Sequence, residues 1–384
     1  MTTVAQRTAT RPSARRLRGR PELYTSYAAD MALFNTTGKR LGVGALALVA
    51  VLVTVAVTDD VLRLLAVGCA LAIGAIGLNL VTGYAGQVSL GHAFFVGIGA
   101  FTASVISGDP EARTLGYGVT EILLWLPAAG GVAGLAGLVV APLSSRLRGL
   151  YLAIVTLGLV FLGEHVFREA RFITGGFGVG RPGPRATLLG FDLVAPGPLL
   201  TADQKRYLLV LVVLAILGVL ARNLARSDVG RSFAAVRDRD IAAEVIGVNL
   251  TRAKAQAFTL SSFYAGVCGA LLYTITPVIE PASFNLGLSV QFVAMVLIGG
   301  VATISGSIMG ALFIALLPRL TQELPRLLPF ISSQATGGGL ITSSQLESIL
   351  YGLLIVVFLI FEPRGLFGVW LRTRNYWKGW PFSY

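Results

Sequence analysis

Apolar runs recur along the whole chain, near residues 41–58, 61–82, 88–107, 121–143, 149–167, 207–221, 255–275, 288–318 and 347–362. A helix rises about 1.5 Å per residue, so roughly 20 apolar residues cover the ~30 Å hydrocarbon core of a bilayer. Water-soluble helices carry one apolar stripe, whereas these runs are apolar on every face. In lipid such a run must satisfy its own backbone polar groups, which leaves the helix as its spanning element. The chain therefore reads as an all-α, polytopic membrane protein. Its 54% hydrophobic content agrees, and 46 glycines suit helices packed at close range.

Charge orients the spans. A net charge of +12 invites a nucleic-acid reading, but the basic residues flank apolar runs, as positive-inside anchoring requires, and no nucleic acid is expected. Residues 1–40 carry eight Lys or Arg against two acids and read as a basic cytoplasmic tail beside anionic membrane lipid. No apolar core precedes residue 41, so this tail is not read as a cleavable signal. Alternation then places Asp59 and Asp60 outside, 83–87 inside, 109–113 outside, the 146–148 turn inside, 168–206 outside and 222–254 inside. The tail 369–384, with Arg372, Arg374 and Lys378 beside Trp370, Trp377 and Trp380, reads as a cytoplasmic interfacial anchor. Two cytoplasmic ends require an even number of spans. The long run therefore divides into about 286–302 and 304–318, giving about ten spans in a transmembrane domain over 41–368. A re-entrant hairpin entering from outside satisfies the same parity.

Two segments interrupt the apolar pattern. GLNLVTGYAGQVSLGHAFFVGIGAF (77–101) interleaves glycines with Asn79, Gln87, Ser89 and His92. A helix break within hydrocarbon survives only where its freed backbone groups are buried in protein or line a cavity. This segment is therefore either a capped kink or part of a substrate path. MVLIGGVATISGSIMGALF (295–313) has the same texture, as two halves of an internally repeated transporter would.

The third informative segment is polar. Residues 222–254 hold seven Lys or Arg and four Asp or Glu. Without glycine or proline between Arg231 and Ile246, they read as one cytoplasmic helix closed by Gly247. Phe233, Val236, Ile241, Val245 and Ile246 form its expected apolar ridge, suited to another protein's groove. At the end of the fifth span, Glu164 and Arg168 are spaced to pair, and the loop Thr174-Gly175-Gly176 that follows is a candidate external contact. The chain has no phosphate-binding G-x-x-x-x-G-K-[ST] loop, and its two histidines have no metal-ligand spacing to its two cysteines. No catalytic residue, metal or cofactor is expected.

Taken together, the 77–101 segment, TGGFGVGRPG, GRSFAAVRDRDIAAEVIGVNLTRAKAQAFTLSSFYAGVCGALL, IGGVATISGSIMGA and EPRGLFG resemble the LivM-type permease subunits of bacterial branched-chain amino acid ABC importers. The resemblance runs from about residue 60 to 368. It implies a non-catalytic transport subunit in the bacterial plasma membrane. Its implied partners are a homologous LivH-like permease, two cytoplasmic ABC ATPases and an extracytoplasmic solute-binding protein. It also implies a cytoplasmic coupling motif, E-A-A-x-x-x-G. Here Ile241-Ala242-Ala243 and Gly247 match it with Ile in place of Glu, so Asp240 or Glu244 would supply the acid, flanked by Arg231 and Arg237. A zwitterionic amino acid would be met along the path by Asn79, Gln87, Ser89, His92 and Gln291. A permease for urea or short-chain amides would share this architecture.

Overall fold

The computed structural model describes residues 37–379 apart from 112, 148, 177, 198–199, 324–330, 333–340 and 363, and it is mostly helical. The chain divides into units 1–50 and 51–384. Within the first, only the opening of helix α1 (Thr37–Ala56) is described, so the expected basic tail falls largely outside the described residues, as does Trp380.

In the second unit, α2 (Asp59–Asn79) passes into a π-helical turn, Leu80–Tyr84. There follow α3 (His92–Ser107), α4 (Ile122–Arg146) and α5 (Leu150–Glu169). A one-turn helix α6 (Arg171–Thr174) opens the long loop to α7 (Ala202–Arg226). Two short polar helices, α8 (Asp228–Asp238) and α9 (Asp240–Val245), precede α10 (Leu250–Ile275). Last come α11 (Leu286–Gly299), α12 (Ile304–Glu323), α13 (Ser343–Phe361) and α14 (Gly365–Gly379).

Among the described residues, six helical stretches are long and apolar enough to cross a membrane: Asp59–Tyr84, Ile122–Ser144, Leu150–Glu169, Ala202–Arg226, Leu250–Ile275 and Pro281–Gly299. Four shorter apolar helices accompany them: Leu41–Ala56, His92–Ser107, Ile304–Arg319 and Ile349–Phe358. Burial sorts the long ones. In the most apolar 18-residue window of Asp59–Tyr84 and of Leu250–Ile275, 83% and 78% is buried, against 22% for Ala202–Arg226. The first two are thus central and the last peripheral.

Lipid offers helices little hydrophobic reason to associate, so close packing of small residues holds them together. Gly99 lies against the Gly266 backbone and Gly269 against the Val96 carbonyl, seating α10 on α3 without intervening side chains. On its other side, Gly266 faces Ala129 and Ala133 of α4. Tyr264 donates its hydroxyl to the Leu217 carbonyl at 2.8 Å, tying α10 to α7. Phe101, Phe167 and Phe284 fill one end of this core, with ring centroids 5.1–6.2 Å apart.

The long apolar run divides as expected: α11 and α12 are separated by residues 300–303, and Gly299, Gly306 and Gly310 bring the two helices to backbone contact. The long loop contains short strands. Strand β1 (Arg181–Pro182) pairs antiparallel with β4 (Val278–Ile279), and β2 (Thr187–Leu188) with β3 (Phe191–Asp192). The Arg181 guanidinium is buried and its Nη1 donates to the carbonyls of Leu115 and Ile173 at 2.8 and 2.7 Å. Burial lowers its pKa.

Candidate functional site

Two breaks in the central helices meet, and one asparagine joins them. After the π turn, residues 85–91 leave helical geometry, with Gly86 at φ +67°. Two backbone donors freed there find side chains of other helices. Leu90 N–H donates to Thr156 Oγ1 at 2.9 Å, and Ala93 N–H to Ser289 Oγ at 3.0 Å. In the second break Gly300 has φ +127° and Ala302 φ +57°. Asn79 Nδ2 donates to the Thr303 carbonyl (2.9 Å) and to Ser307 Oγ (2.8 Å), while its Oδ1 accepts from Ala302 N–H (2.8 Å). A side chain on Gly83 would strike Asn79 Oδ1, which explains a glycine at that position.

The five residues singled out for a substrate path occupy different environments. Asn79 is buried and braces the second break. His92 is buried, with Nε2 donating to the Gly74 carbonyl at 2.8 Å and its ring edge-on to Phe292. Ser89 is buried and accepts from Gly91 N–H at 3.4 Å. Gln291 is only half-buried and donates to the Tyr351 hydroxyl at 3.0 Å. Gln87 stands apart: it is 6% exposed, and neither amide atom has a hydrogen-bond partner. It lines a cavity of about 230 Å³ reaching to Arg237, Asp240 and Lys254. The sequence reading passed over Thr156, Ser289, Thr303 and Ser307. Their only signal was a hydroxyl inside an apolar run.

The polar segment departs from the single helix expected. Ser227 caps α8, accepting from Gly230 N–H, and the helix runs to Asp238. Arg239 is then extended (φ −157°, ψ 103°), and α9 restarts at Asp240 and ends before Gly247 at φ +92°. Asp238 and Asp240 flank the joint. Aspartate bonds readily to nearby backbone and so competes with the helical ladder, as Asp240 does by accepting from Ile241 N–H at 2.9 Å. Nor is there one apolar ridge. Phe233 and Val236 are buried, whereas Ile241, Val245 and Ile246 are 69%, 83% and 75% exposed. Ala243 is buried; Ala242 and Glu244 are exposed.

Arg237 links this segment to the first break. Its Nη1 donates to the Gly83 carbonyl at 3.3 Å, its stem lies against Gly86, and its guanidinium pairs with Asp238 at 3.0 Å. Arg231 pairs with Asp228 at the surface. Around the third candidate region, Thr174 donates its buried hydroxyl to the Phe167 carbonyl at 2.7 Å. Gly175 and Gly176 (φ +82° and +89°) then turn the chain back, with Gly175 against the Gly180 carbonyl. The expected surface pair is present, Arg168 to Glu164 at 3.3 Å.

Long apolar helices meeting at paired, braced breaks, with a polar two-helix appendage, define a polytopic helical membrane protein. Residues 61–359 match the family described as branched-chain amino acid transport system / permease component, and the chain belongs to that family. It is 30% identical to the high-affinity branched-chain amino acid transport system permease protein LivM of Salmonella typhimurium and to that of Escherichia coli. Each alignment covers 76% of this chain and 66% of the relative, so the match spans just under two thirds of those proteins. The autoinducer 2 import system permease protein LsrC of an Enterobacter species is 28% identical over 67% of each chain. No solved structure matches this chain.

Proposed function

We propose that this chain is a permease subunit of an ABC importer for branched-chain or other hydrophobic amino acids. In this reading it crosses the plasma membrane about ten times, the six long and four short apolar helices together, with both termini cytoplasmic. The spans lie within 41–368, with 168–206 outside, 222–254 inside, and cytoplasmic tails over 1–40 and 369–384. A homologous second permease completes the path, an extracytoplasmic binding protein delivers the ligand, and two cytoplasmic ATPases supply the work. The subunit itself catalyses nothing.

The observation that carries the reading is the outward-facing trio Ile241, Val245 and Ile246 on α9. Apolar residues on a short helix are the usual anchors for a partner's groove. Because Phe233, Val236 and Ala243 face inward, a pull on α9 is delivered to α8, and through Arg237 to Gly83 and the helix break. Arg231, Asp240 and Glu244 border the docking face, and Gly247 ends it. At the opposite membrane face, Thr174, Gly175 and Gly176 form a firm rim for the binding protein. Of the path candidates, Ser89 contacts the ligand in transit, while Asn79, His92 and Gln291 hold the walls.

The test is an Ile241→Glu/Val245→Glu double variant in proteoliposomes bearing the whole complex. Both side chains are exposed, so the subunit folds. Labelled-leucine uptake falls at least tenfold and the ATPases no longer copurify. Unchanged uptake overturns the docking assignment; uptake of urea in place of leucine overturns the ligand class.

A further inference from the structure

Beneath the joint at Arg239 lies the cavity of about 230 Å³ that Gln87 helps to line. The liquid volume of a water is about 30 Å³, so this space matches a small organic molecule rather than a single trapped water. A buried amide without partners is costly, and Gln87 has both its oxygen and its nitrogen unpartnered at 6% exposure. Such a group calls for a ligand that both donates and accepts. The rest of the lining is specific about charge. Lys254, only 6% exposed, and Arg239 bring positive charge to it. Asp240 adds negative charge to the lining. Between them, Leu152 and the buried Val236 give apolar wall.

We infer that this cavity is a second, inward-side binding site for a zwitterionic α-amino acid with an apolar side chain. Its carboxylate faces Lys254 and Arg239, its ammonium faces Asp240 and the Gln87 oxygen, and its side chain lies on Leu152 and Val236. The inference rests on the proposed orientation and substrate class, and adds regulation to them. The cavity is walled by two elements that move relative to each other if α8 and α9 transmit a pull, namely the 85–87 turn and the 236–240 joint. A ligand that binds only one arrangement of two walls favours that arrangement by its differential affinity. Occupancy therefore holds the joint against the break, and accumulated product slows further import.

Two measurements on the purified full chain in lipid nanodiscs test this. In the first, labelled leucine binds saturably. Isocaproate, which lacks the ammonium, and isoamylamine, which lacks the carboxylate, compete at least tenfold more weakly. Gln87→Leu weakens binding at least tenfold. In the second, the Asp238→Cys variant is labelled with a water-soluble maleimide. The native Cys69 and Cys268 are buried and give little background. Leucine slows labelling at least fivefold, and urea does not. Asp238 also lines the cavity and is exposed, so this variant folds even if Gln87→Leu does not, and it keeps Arg239 for the ligand carboxylate. Labelling unchanged by saturating leucine overturns the site, as does a cavity that takes only water and shows no saturable binding. If the complex imports leucine but labelling is unprotected, the inference fails and the proposed function stands. If labelling is protected but leucine is not imported, the site stands and the proposed function fails.

Discussion

Replacing Asn79 by leucine, of nearly the same shape, isolates what its amide does. Three hydrogen bonds of 2.8–2.9 Å are lost, to Ala302, Thr303 and Ser307. At about 0.6 kcal/mol each, the mean for polar contacts in a membrane protein, the loss starts near ~2 kcal/mol. The Thr303 carbonyl retains the Ser307 N–H, but Ala302 N–H loses the partner it had in Asn79, adding about 1–3 kcal/mol. The expected cost is therefore about 3–5 kcal/mol, well beyond an ordinary surface substitution. Ser307→Ala removes one of the three bonds and costs about 1 kcal/mol. Reversible unfolding of the purified chain in mixed SDS micelles, followed by tryptophan fluorescence, measures both. If Asn79→Leu lies within about 0.5 kcal/mol of the native chain, the amide does not brace the two breaks and the account of their pairing is wrong.

Gly83→Ala puts a methyl on Asn79 Oδ1, whereas Gly218→Ala meets nothing within 4 Å. The first is expected to lower the yield of folded protein sharply, and the second to be neutral or stabilising by up to about 1 kcal/mol, as read by monodisperse peak height in size-exclusion chromatography. Arg181→Met removes a charged donor from two carbonyls and costs about 2–4 kcal/mol in the same SDS titration; a smaller loss would mean that water replaces the guanidinium. Acidification loosens the loop around β2 and β3. The Val194 and Ala195 N–H groups hold the Asp192 carboxyl below its usual range. Partial desolvation pushes Glu121 upward, but donors from Gly190, Leu189 and Thr187 outweigh it, so its net pKa is lowered as well. With folded values below unfolded ones, the stabilisation is present above about pH 4 and fades as pH falls through the folded values. Amide exchange at Leu189, Gly190 and Val194, corrected for intrinsic rate, should accelerate across that range; pH-independent protection would refute it.

Six of the runs were legible as membrane-length helices because lipid imposes one rule on each, and Leu250–Ile275 obeys it in full, whereas Leu41–Ala56 forms a shorter apolar helix. The division of 288–318 was legible too, since Gly299, Gly300 and Gly306 mark where two helices approach. Which groups repair the breaks was not. Leu90 and Thr156 are 66 positions apart and Ala93 and Ser289 are 196 apart, and a hydroxyl inside an apolar run does not reveal which backbone it will meet. Asn79 illustrates the same difficulty: polarity at a break suggests ligand contact, yet here the nearest unsatisfied groups belong to the protein. The joint at Arg239 was hidden for a different reason. No glycine or proline marks it, and Asp238 and Asp240 are compatible with an exposed helix until tertiary packing turns Phe233 inward and leaves Ile241 out.

The fit of Gly99 to Gly266 and of Val96 to Gly269 bears on how such a molecule can rock. Where main chains touch, no side chain can yield to let one rod slip past another, so α3, α4 and α10 travel as a single slab. Any hinge is therefore expected at the edges of that slab rather than within it, and the outlying Ala202–Arg226 rod, fastened to it through Tyr264, would be carried along.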